Sequence, residues 1–172
     1  WFVTDKDNEF ERLATLNLST KKVIYYTSKI PWNVENYILS EDKKTIGFVT
    51  NEAGLNKMYL MKASDKSYAA VKNIPIGLIG GGAFTKDNQQ LFFTQSTAQT
   101  ASDVYKLNLA TGAIQRWTES ELGEMQQSDM ALPKFIEWKS FDNLKISGFY
   151  YPAAAKFIGK RPVLINIHGG PE

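Results

Sequence analysis

The stretch LSEDKKTIGF, at residues 39–48, decides the fold, because it recurs as FTKDNQQLFF at residues 84–93, 45 positions later. Each copy consists of an apolar segment, a polar turn that contains an aspartate, and a second apolar segment. LNLST at residues 16–20 is likewise matched by LNLAT at residues 107–111, 91 positions later. A spacing that holds for several segments indicates a repeated structural unit. The chain therefore consists largely of units about 45 residues long.

Residues that favour turns divide each unit into four short strands. In the first unit the predicted strands are residues 35–39, 45–51, 56–63 and 68–71. The same four recur between residues 79 and 118, and helical periodicity is absent. A repeat of ~40–50 residues with four antiparallel strands is typical of a β-propeller blade. Because residues 13–27 match the outer half of a blade, we predict a mainly β chain with about two and a half propeller blades in residues 1–118.

Composition and charge exclude several classes of function. The formal charge is only +2, from 20 basic and 18 acidic side chains without a basic stripe, so we expect no nucleic-acid partner. No apolar run reaches the ~18–20 residues of a membrane span, so we expect no membrane association. There is no cysteine, which removes disulfides and thiolate chemistry. We expect neither a metal ion nor another cofactor.

The repeat pattern ends near Thr118, and residues 119–133 read as a linker. Here Thr118-Glu119-Ser120-Glu121 has the form of a helix capping box and is followed by Gly123, so it predicts one short helical turn. In this interpretation the acidic side chains of the segment are charges at a helix start rather than ligands for a substrate amine. They are Glu119, Glu121 and Glu124.

Residues 134–172 have a different pattern. Alternating apolar residues at 135–140 and 144–151 flank Asp142-Asn143, which predicts a β-hairpin. Residues 162–167 are nearly continuously apolar, as a strand covered on both faces of an α/β sheet would be. The four residues after this predicted strand are His168, Gly169, Gly170 and Pro171.

A glycine pair directly after a buried strand lets the backbone turn sharply and present N–H groups at the carboxyl edge of the sheet. In α/β-hydrolases such a His-Gly-Gly element contributes to the oxyanion hole, which stabilises the tetrahedral intermediate of acyl transfer. The candidate site is therefore an oxyanion loop at His168, Gly169, Gly170 and Pro171. An ordinary turn after a strand is the competing interpretation of these four residues.

The order of these segments resembles the prolyl oligopeptidase family of serine peptidases, in particular its acylaminoacyl-peptidase and dipeptidyl-peptidase members. The resemblance rests on the repeats, the hairpin with Ser140 and Asp142, and RPVLINIHGGP at residues 161–171. It departs from the family at Asn143, where relatives carry glycine; asparagine tolerates the same left-handed conformation. The resemblance implies a propeller that gates access to a peptidase acting on short peptides, with residues 134–172 as the first strands of its α/β-hydrolase domain.

The resemblance also implies that the catalytic serine, acid and histidine lie in a remainder of the hydrolase domain, which would be a partner of these residues. No Gly-x-Ser-x-Gly motif occurs, and His168, the only histidine, precedes the position expected for the serine, so it is not the base. The chain starts at Trp1 without a methionine and ends after Gly-Gly-Pro. We therefore expect an internal piece of a longer enzyme that is inactive by itself.

Two other functions stay open, namely a propeller interaction module without catalysis and an esterase of the same fold. Gly80-Gly81-Gly82 could suggest a phosphate cradle, but no helix and no Gly-Lys-Ser/Thr follows, so we predict a structural bend. Asp42 and Asp87 occupy matching turns, where bonds to nearby backbone explain them. The sequence leaves compartment, oligomeric state and substrate preference undetermined.

Overall fold

The computed structural model describes residues 1–167 and Gly169. In this part of the chain the regular elements are antiparallel strands and one 3-10 turn at Gln127–Asp129, and there is no α-helix. None of these residues belongs to a helix with the length and hydropathy of a membrane span. The strands are β1 (Phe2–Thr4), β2 (Arg12–Leu16), β3 (Val23–Tyr25), β4 (Asn33–Leu39), β5 (Thr45–Glu52), β6 (Leu55–Lys62), β7 (Tyr68–Ala70), β8 (Gly77–Phe84), β9 (Gln90–Thr97), β10 (Thr100–Asn108), β11 (Ile114–Arg116), β12 (Lys134–Lys139) and β13 (Lys145–Tyr150).

The strands form four sheets, and within each sheet neighbours in sequence are neighbours in space. The first sheet contains β1 to β3, the second β4 to β7, the third β8 to β11, and the last is the hairpin of β12 and β13. The two four-stranded sheets repeat each other: β5 begins at Thr45 and β9 at Gln90, 45 positions later. The pair β2–β3 has the register of β10–β11, 91 positions earlier. The predicted repeat is thus confirmed, and the predicted strands are displaced by no more than two residues at most ends.

Equivalent turns are held by equivalent hydrogen bonds. Between β4 and β5, Asp42 Oδ1 accepts from Ser40 Oγ at 2.6 Å and from the Lys44 N–H at 3.0 Å. Between β8 and β9, Asp87 makes the same two kinds of bond with the hydroxyl two residues before it and the amide two residues after it. Both aspartates therefore hold their own turns, as the sequence predicts.

Packing of one sheet face on the next creates the core. One buried cluster lies between the first and second sheets, and a second cluster lies between the two four-stranded sheets. Apolar burial of this kind is the main favourable contribution to folding, and here no sheet buries its faces alone. The first cluster contains Leu13, Val34, Ile46, Phe48 and Met61, and the second contains Val49, Met58, Ile79, Leu91, Phe93, Tyr105 and Leu107.

The glycine run in β8 is structural. The register of β8 against β9 shifts between Ile79 and Gly82, which marks a β-bulge. A Cβ atom built on Gly82 would lie 2.3 Å from the carbonyl oxygen of Phe92, so the backbones approach too closely for any side chain there. A Cβ atom on Gly81 would meet nothing within 4 Å. The predicted structural bend at these glycines is confirmed as this bulge.

The predicted hairpin is present, whereas the predicted strand after it is not formed. β12 and β13 pair from Lys134↔Tyr150 to Lys139↔Lys145, and Asn143 in the turn has the left-handed φ of 67°. Residues 162–167 contain no strand, and Leu164 is 94% exposed. A strand requires a neighbour that takes up its N–H and C=O groups, and no described residue pairs with this segment.

Candidate functional site

The predicted oxyanion loop falls mostly outside the described residues. His168, Gly170 and Pro171 are not among them, so their role remains a prediction. Gly169 is described, and a Cβ atom built on it would meet nothing within 4 Å. Because the sequence has a single histidine, at 168, the described residues contain no serine–histidine pair that could form a nucleophile and its base.

A cleft of about 250 Å³ lies where the hairpin meets the ends of the four-stranded sheets. One wall is the start of β8, where Leu78 is 66% exposed, and another comes from the hairpin and the residues around it. Ser96 and Thr97 add hydroxyl groups to a lining that is otherwise mainly apolar. The full lining is Gly54, Ile76, Gly77, Leu78, Ser96, Thr97, Ala98, Pro133, Phe149 and Tyr151.

Two contacts hold the hairpin at this cleft. The hydroxyl of Ser147 donates to the carbonyl oxygen of Ala53 at 3.1 Å, which joins β13 to the turn between β5 and β6. In the same turn, Gly54 has a φ of +90°, and a Cβ atom on it would lie 3.1 Å from the ring of Phe149. Glycine is therefore required there both for the backbone conformation and for the position of the ring. The contact covers one face of the hairpin.

The opposite face of the hairpin is open. Trp138 is 50% exposed and Ile136 is 43% exposed, and their neighbour on the same face, Ile146, is 37% exposed. Packing explains Tyr59 and Tyr105, which lie in or against the buried clusters of the sheets, but it accounts for only half of the Trp138 surface. An apolar sheet face that is open to this extent is typical of one layer of a domain in which a second layer covers it.

A hydrogen-bond network around Glu52 fixes the turn that receives the hairpin. The carboxylate accepts from Lys57 Nζ at 2.6 Å, from the Tyr59 hydroxyl at 2.6 Å and from Thr50 Oγ1 at 3.1 Å. Burial raises the pKa of Glu52, but the hydrogen bonds from Lys57 and Tyr59 lower it by more, so the group is ionised. Burial and the bond to Glu52 both raise the pKa of Tyr59. These groups are satisfied by each other, which indicates a structural role.

The most enclosed charge is Asp103 in β10, which has no exposed surface. Its Oδ2 forms an ion pair with Arg116 Nη2 at 2.6 Å. Its Oδ1 accepts from the Ser120 N–H at 2.8 Å, from Ser120 Oγ at 3.0 Å and from Thr118 Oγ1 at 3.0 Å. Burial acts to raise the pKa of Asp103, and the hydrogen bonds from Ser120, Thr118 and Arg116 outweigh it, so the pKa is lowered.

This cluster overturns the prediction of a helical turn at residues 118–121. No helix begins there, because the side chains that would cap it are bonded to Asp103 instead. Glu119, Glu121 and Glu124 are exposed and are not charges at a helix start. Asp103 was not predicted from the sequence. Its equivalents in the other two sheets are Arg12 and Lys57, and this change of charge within the repeat is a signal that could have identified it.

Metal binding finds no support in residues 1–167 and 169, since no group of three or more His, Asp or Glu side chains there could hold an ion. Among the described residues, the candidate features are a mainly apolar cleft beside the hairpin and a buried ion pair at the start of the linker.

Comparisons with known proteins define the class of fold. Serially packed antiparallel sheets followed by a hairpin are similar to the propeller regions of solved prolyl oligopeptidases and a dipeptidyl peptidase. Prolyl oligopeptidase B from Galerina marginata superimposes with a TM-score of 0.70 at 13% identity, over 89% of this chain and 22% of that one. Dipeptidyl peptidase 4 from Porphyromonas gingivalis gives 0.61 at 15% identity, over 86% and 21%.

A third solved structure, TolB from Acinetobacter baumannii, gives a TM-score of 0.55 at 18% identity, over 87% of this chain and 40% of that one. No protein-family model matches the sequence. No curated protein matches it either. The chain spans about a fifth of the length of the peptidases named above, and at these identities the likeness establishes the fold alone.

Proposed function

We propose that the chain is part of a serine peptidase of the prolyl oligopeptidase kind. In this proposal residues 1–118 are about two and a half blades of a propeller, residues 119–133 are a linker, and residues 134–172 begin an α/β-hydrolase domain. The observation that carries the proposal is the likeness to a prolyl oligopeptidase over 89% of the chain, a span that includes residues beyond the repeats. The hairpin and the HGGP sequence after a strand-like apolar segment add support.

The proposed mechanism is acyl transfer. A serine outside this chain, activated by a histidine, attacks the carbonyl of a short peptide, forms an acyl-enzyme and releases the amine; water then hydrolyses the ester. The contribution of this chain is the loop at His168, Gly169, Gly170 and Pro171, in which a backbone N–H of one of the residues before the proline stabilises the oxyanion. By itself the chain is inactive, since it holds neither the nucleophile nor the base.

The proposed role of the propeller is to restrict access. The cleft between the hairpin and the sheet ends, at about 250 Å³, has room for a few side chains and none for a folded domain. Its apolar wall with two hydroxyl groups suits a short peptide segment. A partner for the open face of the hairpin is the remainder of the hydrolase domain, which buries Ile136, Trp138 and Ile146.

The second candidate is a propeller interaction module without catalysis. The likeness to TolB, which is not named as a peptidase, favours this alternative, because the fold alone does not determine the chemistry. An esterase of the same fold is a variant of the first proposal, since an oxyanion hole serves ester and amide substrates alike.

The test is labelling of the full-length protein with a fluorophosphonate probe, which reacts with activated serines. We expect the full-length protein to be labelled and the 172-residue chain to stay unlabelled. A full-length protein that is folded and unlabelled would favour the interaction module. Hydrolysis of short peptide amides at a rate comparable with the matched esters would separate the peptidase from the esterase, which cleaves only the esters.

A further inference from the structure

The carboxylate of Asp103 accepts more hydrogen bonds from the start of the linker than from the strands of the sheet. Three of its hydrogen bonds come from residues at or beyond the end of β11, namely Thr118 Oγ1, Ser120 N–H and Ser120 Oγ. The Arg116 guanidinium, on β11, supplies the compensating charge and also donates through Nε to the carbonyl of Thr118 at 3.0 Å. The carboxylate therefore fixes the first residues of the linker at a defined place on β10.

The repeat shows which part of this arrangement the fold itself requires. In the first sheet, Thr27 Oγ1 accepts the N–H of Leu13 at 3.0 Å, as Thr118 Oγ1 accepts the N–H of Val104 at 2.9 Å. The residue before Leu13, equivalent to Asp103, is Arg12. The threonine bond thus belongs to the repeated unit, whereas the carboxylate occurs only in the sheet that the linker follows.

A second bond holds the other end of the linker. Gln99, in the turn between β9 and β10, donates through Nε2 to the carbonyl oxygen of Met130 at 2.7 Å. Gln99 and Asp103 lie on the two sides of the bulge in β10. Between the two anchored ends, residues 121–129 are exposed except for Leu122, which is half-buried. The linker is therefore a loop whose two ends are bonded to β10 and to the turn just before it.

We propose that Asp103 and Gln99 form a two-point clasp that fixes the path of the linker and thereby determines where the hairpin of β12 and β13 lies on the sheet ends. Asp103 holds the start of the linker, and Gln99 holds its end, four residues before the hairpin begins at Lys134. Release of the first point lengthens the exposed loop. Release of the second point loosens the hairpin, which then keeps only its contacts with Ala53 and Gly54, while the start of the linker stays in place.

The first test is cleavage by a glutamate-specific protease, for which the linker offers Glu119, Glu121 and Glu124. The variant Asp103→Asn removes the charge that strengthens these bonds, and we expect native-state cleavage of the linker to accelerate by about tenfold or more. Asp87→Asn is the matched control, because it makes the same chemical change in a carboxylate that holds only its own turn. Its rate of linker cleavage should stay at the parent value.

Ser120→Ala is a milder second variant, in case Asp103→Asn does not fold. It removes one hydroxyl and leaves the carboxylate, Arg116 and the Ser120 amide in place. We expect it to accelerate linker cleavage by about threefold. The proposal is wrong if linker cleavage in Ser120→Ala is unchanged, or if it rises in either variant only in step with cleavage inside the sheets. That result would assign Asp103 to the stability of the sheet alone.

The second point is tested by amide hydrogen exchange in Gln99→Ala. We expect faster exchange in residues 134–150 and unchanged exchange at Ser120 and in β5 and β9. Equal exchange rates in the hairpin of the parent and the variant would show that Gln99 does not hold the hairpin in place, which would contradict the second point of the clasp. The proposal does not depend on peptidase activity, so an unlabelled full-length protein would leave it intact.

Discussion

Truncation of Leu91 to alanine tests how the two four-stranded sheets hold each other. Leu91 has no exposed surface, and its Cδ2 lies 3.5 Å from the position of a Cβ atom built on Gly47 in the neighbouring sheet. The change removes three carbons, worth ~2.4 kcal/mol at ~0.8 kcal/mol per buried CH₂. The cavity left between two sheets adds to this, so we expect the free energy of unfolding to fall by about 3–4 kcal/mol.

The assay is urea unfolding monitored by tryptophan fluorescence. If the sheets unfold as one unit, the slope of the free energy of unfolding against urea concentration should be the same in the parent and the variant. Ile46, the equivalent of Leu91 one repeat earlier, is also fully buried, so Ile46→Ala should cost about the same ~3–4 kcal/mol. Leu18→Ala, at a leucine that is 74% exposed, is the control and should change stability by less than ~0.5 kcal/mol. A loss below ~1 kcal/mol for Leu91→Ala would refute the packing of the sheets described above.

Two further predictions concern the bulge and the buried carboxylate. Gly82→Ala should destabilise the protein by ~1–3 kcal/mol, because its Cβ would approach a backbone carbonyl, whereas Gly81→Ala should be neutral within ~0.5 kcal/mol; equal effects in thermal unfolding would contradict this. Because the pKa of Asp103 is lowered in the folded state, its stabilisation is complete above the unfolded pKa near ~3.9 and is lost as pH falls through the lower folded value. The stability difference between the parent and Asp103→Asn should therefore shrink below about pH 4, and a difference that is constant from pH 3 to pH 7 would count against an ionised Asp103.

The repeated strands could be predicted because local signals agree with one another. The turn aspartates, the alternation of apolar residues and the fixed spacing of 45 all indicate the same unit, and Asp42 and Asp87 make the same bonds in the structure. Local turn chemistry and burial favour the same strands and turns there, so the sequence is sufficient to predict them. The hairpin with Asn143 in its turn could be predicted for the same reason.

The linker could not be predicted from local signals, because its partner is distant in sequence. Thr118-Glu119-Ser120-Glu121 fits a capping box, but a carboxylate 15 residues before Thr118 binds the same side chains and excludes the helix. The strand predicted at residues 162–167 is not formed among the described residues for a related reason. Its apolar composition predicts a buried strand, yet strand formation depends on neighbours, and none of the described residues pairs with it.

The central claim is most directly tested by an experimental structure of the full-length protein after reaction with a fluorophosphonate. The account predicts that residues 162–167 form an inner strand paired on both sides and that an N–H of the loop at residues 168–171 lies about 3 Å from the phosphonyl oxygen. Residues 33–116 should form two adjacent blades of a closed propeller, with the registers given above. A structure in which residues 162–167 stay unpaired, or in which the loop lies far from any reactive serine, would contradict the account.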